Sequence, residues 1–189
     1  MGSWKDACRD AEAMGWTLCE VPLPEYSEND AIKVIDSCRR NLCGNYGTSW
    51  ACPPGWTDRM DILGRRYDSA ILMEKEFDVD VKNETELRKI TDESHSVVRS
   101  AVRAMRAAGF ECMGFTDGEC GYCGVCSYPE PCRFPDQLVA SISSTGIELK
   151  NYFDSIGKDF SFSDDHVIFY GMIMFRRMPV IGEEDAIAF

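Results

Sequence analysis

Two aperiodic, cysteine-rich stretches constrain this chain more than any apolar run does. Residues 38–56 (CRRNLCGNYGTSWACPPGW) and 116–135 (TDGECGYCGVCSYPEPCRFP) hold seven of the ten cysteines, crowded with glycine, proline and aromatic residues and lacking helical or strand periodicity. Something other than apolar packing must shape them. A folded chain of 189 residues buries roughly 70% of the surface it would expose unfolded, so a core forms without covalent staples. Met1 to Asp10 (MGSWKDACRD) has neither the apolar centre nor the small-residue cleavage site of a secretory signal. The longest apolar stretch, Val167 to Phe175, is about half the length of a membrane-spanning helix. The chain therefore reads as cytoplasmic, where thiols stay reduced and clustered cysteines point to metal rather than disulfides.

Cys120, Cys123, Cys126 and Cys132 have the spacing C-x2-C-x2-C-x5-C. Two-residue gaps let successive thiolates turn toward one centre, and small residues between them leave backbone N–H groups free to face sulfur. Zinc knuckles use pairs of such ligands. Three cysteines in consecutive two-residue gaps, followed by a fourth, fit an iron–sulfur cluster, most naturally [4Fe-4S], with zinc as the alternative. Cys38, Cys43 and Cys52, spaced C-x4-C-x8-C-P-P, are a weaker signal alone. Pro53 after Cys52 matches ferredoxin-type runs, in which the last ligand can serve a second cluster, so ligand exchange between the loops stays open. Seven thiols leave one ligand short of two fully cysteinyl cubanes. Either a further residue such as Cys112 completes the set, or one iron keeps an open position. Cys112, Cys8 and Cys19 otherwise read as small buried hydrophobes.

Tyr46, Trp50 and Trp56 interleave the first loop, and Tyr122, Tyr128 and Phe134 the second. They either exclude water from a centre or simply pack the loops. Arg39, Arg40 and Arg133 adjoin cysteines and could offset thiolate charge or stay in solvent. His95, between Ser94 and Ser96 in a long periodic helix, reads as lying on a solvated face, and His166 as opening a strand. A Cys–His nucleophile built from Cys8, Cys19 or Cys112 is the least supported chemistry. Asp164-Asp165 and Glu183-Glu184-Asp185 read as solvated charges. No phosphate-binding glycine motif appears, and no stretch announces a pocket for an organic substrate. A net charge of −12 disfavours a nucleic-acid partner, which would need a surplus of Lys and Arg on some face.

Helices and strands intersperse, so the fold reads as α/β (mixed α+β), one domain over residues 1–189, with a mixed sheet, flanking helices and both Cys-rich loops at one edge. Helices are expected over residues 3–14, from Ala31 to Cys38 behind a Ser27–Asp30 capping box, over Asp58–Arg66, Glu84–Ala108, Pro135–Ser144 and Gly146–Ile156. The alternation of Ile32 and Val34 leaves a strand open for the second. Strands are expected over Thr17–Leu23, Ser69–Glu74, Phe110–Phe115 and His166–Phe175.

The pair C-x4-C-x2-Y-G-x2-W-x-C-P-P (Cys38 to Pro54) and C-x2-C-x2-C-x5-C-R-x-P (Cys120 to Pro135) resembles a prokaryotic domain-of-unknown-function family labelled predicted metal-binding proteins, frequent in anaerobes. The resemblance runs through most of the chain, including Phe169-Tyr170-Gly171-Met172-Ile173, and departs from the pattern at Asn41-Leu42. It implies that Cys38, Cys43, Cys52, Cys120, Cys123, Cys126 and Cys132 are the ligand set, and it implies no reaction. Function is therefore read as binding of one or two iron–sulfur clusters, for electron transfer with a redox partner protein or reductive catalysis at an incompletely ligated cluster. A structural zinc protein and a cysteine-dependent thiol enzyme are the alternatives. Neither nucleic acid nor a membrane is expected as a partner.

Overall fold

A computed structural model describes residues 3–158, 160 and 166–177. Its centre is a five-stranded mixed sheet in the order β1-β2-β5-β3-β4: β1 (Thr17–Val21), β2 (Ser69–Asp78), β5 (His166–Arg177), β3 (Phe110–Thr116) and β4 (Ala140–Ser141). All pairings are antiparallel except β3 with β4. The helices are α1 (Trp4–Ala7), α2 (Arg9–Ala13), α3 (Glu28–Arg39), α4 (Met60–Arg66), α5 (Glu84–Ala107) and α6 (Leu149–Ser155).

The continuous apolar runs of β2 and β5 follow from burial on both faces. Ile71, Met73, Phe169, Ile173 and Phe175 pack with α5 and with Trp4, Cys8 and Ala11 of the first segment. Ala70, Leu72, Tyr170, Met172 and Met174 face the opposite way, against Met60 and Leu63 of α4 and Tyr152 and Phe153 of α6. The long helix α5 starts where the Asn83 side chain accepts from the Glu86 N–H at 3.2 Å and stops before Gly109, at φ +90°. It lies close on the sheet because two strand residues lack side chains. A Cβ on Gly171 would meet Val98 Cγ2 at 2.4 Å, and one on Gly114 would meet Val98 and Val102 at 2.9 Å.

The strand alternative for the second helix gives way to α3, whose first turn is capped by the Ser27 hydroxyl accepting from the Asp30 N–H at 3.3 Å. Two expectations need correcting. The helix expected over residues 3–14 breaks at Cys8, whose backbone (φ −98°, ψ 8°) leaves the helical region. Trp4, Cys8 and Ala11 still turn inward, while Met14 lies beyond the end and is exposed. Residues 135–144 form a short 3-10 turn at Pro135–Gln137, then β4, then a second 3-10 turn at Ile142–Thr145. Tertiary pairing overrides local helical preference here: Ala140 and Ser141 register with Phe115 and Thr116, and the Ser141 N–H donates to the Ala51 carbonyl at 2.9 Å.

Candidate metal centre

Helix α3 delivers the first cysteine and then stops. Cys38 sits in its last turn, and Asn41 adopts a left-handed conformation (φ 55°) while its side chain accepts from the Tyr46 N–H at 2.9 Å. The chain then closes on itself, Gly47 N–H donating to the Pro53 carbonyl and Trp56 N–H to the Cys52 carbonyl, each at 2.9 Å. Through Ala51 this loop is fastened to β4. Cys38, Cys43 and Cys52 line one cavity of about 610 Å³, walled also by Val34, Ile147 and Phe160. No single stretch of sequence announces this cavity, whose walls come from α3, the first loop, Gly118 of the second loop, the turn after β4 and the start of α6.

The second loop turns on glycines. Gly121 and Gly124, each directly after a cysteine, have φ of +65° and +70°, a region that L side chains seldom adopt. Gly124 N–H donates to the Gly121 carbonyl at 3.1 Å and Val125 N–H to the Cys123 carbonyl at 2.9 Å, so the chain reverses within each two-residue gap. The Arg133 guanidinium donates to the Val125 carbonyl, closing the loop's far side. Cys120, Cys123, Cys126 and Cys132 line a second, separate pocket of only about 20 Å³, with Trp50 and Phe134 among its walls.

Helix α5 holds this loop with two side chains four residues apart. Both ring nitrogens of His95 face main-chain carbonyls, Nε2 to Asp117 at 2.7 Å and Nδ1 to Cys120 at 3.2 Å. Arg99 donates from Nη2 to the Cys120 carbonyl at 3.0 Å, from Nε to the Gln137 carbonyl at 2.9 Å, and stands 3.8 Å from Cys120 Sγ. Its guanidinium also covers the Tyr122 ring at 4.8 Å. His95 is thus buried, not solvated. Its serine neighbours suggest a polar face, but position 95 shares a helix ridge with Val98 and Val102 and points under the loop.

The two loops interlock. Trp50 donates from Nε1 to the Glu130 carbonyl at 2.8 Å and meets the Tyr128 ring edge-on at 5.1 Å. Cys52 Sγ lies 3.9 Å from the Gly118 carbonyl. Electrostatics separate the sulfurs. Burial pushes the Cys52 thiol up to about 12, helped by Cys43, Glu119, Cys38 and Cys120 nearby. Burial, with Cys43 beside it, also raises Cys38. At Cys126 burial again acts upward, but the main-chain N–H groups of Trp50, Tyr128 and Ser127 and the Ser49 hydroxyl outweigh it, and the thiol is lowered. Among the described residues no three His, Cys, Asp or Glu side chains converge as ligands of a single ion.

The remaining cysteines stand elsewhere. Cys112 donates from Sγ to the Val102 carbonyl at 3.6 Å inside the core, and burial drives its thiol to about 11 and that of Cys8 to about 12. Such thiols are poor nucleophiles at neutral pH. Cys19 lies in β1 against the opposite core cluster. Arg39 is engaged by Asp36 at 2.7 Å and by Tyr46, Arg40 caps α3, and Trp56 donates to the Asp58 carbonyl at 2.7 Å. His166 opens β5, 3.8 Å from the Glu76 carboxylate. Asp164-Asp165 and Glu183-Glu184-Asp185 lie outside the described residues. Among those residues no helix is long and apolar enough to cross a membrane.

The chain matches, over residues 29–175, the family described as predicted metal-binding protein, a domain of unknown function (DUF2284), and belongs to it. The matched span contains all seven loop cysteines. No curated protein and no solved structure matches the chain.

Proposed function

We propose that this member of the metal-binding family is an iron–sulfur protein. One centre, most simply [4Fe-4S], would be held by Cys120, Cys123, Cys126 and Cys132 and a second metal centre by Cys38, Cys43 and Cys52, the first relaying electrons to or from a partner protein. The observation that carries it is the gathering of Cys120, Cys123, Cys126 and Cys132 around one pocket, with the positively charged Arg99 guanidinium 3.8 Å from Cys120 Sγ. Donors to sulfur are how a protein binds and tunes such clusters.

The ligand spacing favours a cluster over zinc: Cys120, Cys123 and Cys126 stand in consecutive two-residue gaps and Cys132 follows, whereas zinc knuckles use pairs. When bound, such a cluster supplies one-electron redox chemistry. The chain's residues hold its thiolates, wall them on one side with Trp50, and offset charge with Arg99. A reducing, cytoplasmic setting suits free thiols, and a net charge of −12 suits a redox partner with a basic face.

Anaerobic reconstitution with iron and sulfide tests the reading. The expected product is brown, carries acid-labile sulfide, and bleaches with dithionite. A colourless protein that instead retains stoichiometric zinc overturns it.

A further inference from the structure

The end of the sheet away from the second cysteine loop gathers arginines. β2 and β3 start there and β5 ends there, with Arg176 and Arg177 in register with Glu111 and Phe110. Helix α4 ends beside them with Arg65 and Arg66, and Arg106 of α5 donates to the Cys112 carbonyl at 3.0 Å. The buried Tyr67 lies within electrostatic reach of Arg66, Arg106 and Glu111 alike. Local contacts fix several of these guanidinium groups. Arg66 donates from Nε to Glu111 at 2.7 Å, Arg176 from Nη2 to the Arg65 carbonyl at 2.7 Å, and Arg177 covers the Phe110 ring at 5.6 Å. Carboxylates answer Arg66, through Glu111 and Asp58, and Arg176, through Asp68 at 3.9 Å. Among the described residues none pairs with Arg65, Arg106 or Arg177. In a chain of net charge −12, such unanswered positive charge at one end stands against the general surface. We propose that this end of the sheet is a docking surface for an acidic protein partner, whose carboxylates pair with Arg65, Arg106 and Arg177.

The face defines the partner's chemistry. A planar guanidinium pairs bidentately with a carboxylate, and arginines already held by local contacts lose little further freedom on pairing. Ile62, 45% exposed, lies one turn of α4 before Arg65 and Arg66 and offers an apolar contact among the charges. A long polyanion such as nucleic acid would run from this end onto the acidic remainder of the chain, whereas an acidic patch on a protein meets the arginines alone. Phe110 and Thr116 bound β3, so the arginine end stands roughly 20 Å from the start of the second cysteine loop at the rise of a strand. The docking face therefore stands whether or not the loops hold iron.

Fluorescence anisotropy of a labelled nine-residue peptide repeating Glu-Glu-Leu, titrated with the full chain, tests the proposal. Saturable binding that weakens as salt rises is expected. Arg65→Glu and Arg177→Glu, both at exposed positions, should each weaken it at least tenfold with unchanged far-ultraviolet dichroism. Arg65→Lys, which keeps the charge without the planar fork, should fall between. No saturable binding, or binding indifferent to both charge reversals, overturns the proposal. Tighter binding of an oligothymidylate would make the face a nucleic-acid surface and overturns it as well. Self-association of the chain that the reversals abolish does the same, because a second copy would then be the occupant. At least tenfold tighter peptide binding by a variant carrying Glu183→Gln, Glu184→Gln and Asp185→Asn would assign the face to the chain's own acidic stretch, and also overturns it.

Discussion

The indole N–H of Trp50 donates to the main-chain carbonyl of Glu130 at 2.8 Å, joining positions 80 residues apart. With the Tyr128 ring edge-on at 5.1 Å, this one side chain clasps the two cysteine loops together. Trp50→Phe keeps a ring against Tyr128 and removes the donor, so it should cost about 1 kcal/mol in urea denaturation of the loaded protein. Trp50→Ala also removes the aromatic contact. It should cost more and render the 116–135 loop sensitive to proteolysis.

The sulfurs divide between two spaces, so their losses should divide as well. Cys123→Ser or Cys126→Ser should remove the iron of the four-cysteine centre and leave the other centre's, and Cys43→Ser or Cys52→Ser the reverse. Iron and acid-labile sulfide assays on each variant check this. A single substitution that empties both centres would mean that ligands are shared across the loops.

Arg99 stands 3.8 Å from Cys120 Sγ and grips that residue's carbonyl at 3.0 Å. A nearby positive charge stabilises the more negative, reduced form of a cluster. Arg99→Gln should therefore shift the midpoint potential of the four-cysteine centre downward by on the order of 50 mV, nearly a tenfold change in a one-electron equilibrium. Arg99→Lys should recover part of the shift. Spectroelectrochemical titration reads the effect, and unchanged far-ultraviolet dichroism separates it from unfolding.

Legibility varied with how local the determining contacts are. The ends of α5 were readable to within a residue, because the apolar positions Val97, Val98, Ala101, Val102 and Met105, the Asn83 cap and Gly109 all act within the segment. β2 runs past the expected Glu74 to Asp78 because β5 continues pairing to His166, and no local pattern encodes that partner. Residues 135–144 read as helix because their partners, Phe115, Thr116 and Ala51, lie in other segments. Spacing divides the loop cysteines into the same two sets that line the two pockets, but His95 and Arg99 beneath the second loop were not readable. Serines around position 95 mask its place on the Val98–Val102 ridge. The cavity beside Cys38, Cys43 and Cys52 has walls from four separated segments, so no single stretch announces it.

The space denied at Gly171 gives a packing test. A Cβ there would lie 2.4 Å from Val98 Cγ2, so Gly171→Ala should destabilise by roughly 1–3 kcal/mol through overpacking. Val98→Ala in the same chain should recover part of that loss. A double-mutant cycle in thermal or urea unfolding measures the coupling, and strictly additive effects would refute the close contact.

Burial lifts the Asp117 carboxyl from 3.8 to about 6. The folded chain then holds this proton more tightly than the unfolded chain does, so stability falls as pH rises through the window between the two values, and the full penalty applies above it. The shift corresponds to an upper bound of about 3 kcal/mol. Asp117→Asn removes the ionisable group while leaving the main-chain carbonyl that His95 engages. The variant should gain stability over the parent at neutral pH, with the gap narrowing toward pH ~5, as followed by denaturant titration at several pH values.

The glycines beneath α5 also give the second cysteine loop a fixed mounting. Val98, the residue that Gly114 and Gly171 admit, lies between His95 and Arg99 on the same turn of helix. Helix and sheet therefore touch most tightly directly behind the two side chains that grip Cys120. A drift of the helix at that point would pass undamped to Cys120, so two absent side chains in the sheet set the position of a loop they never contact.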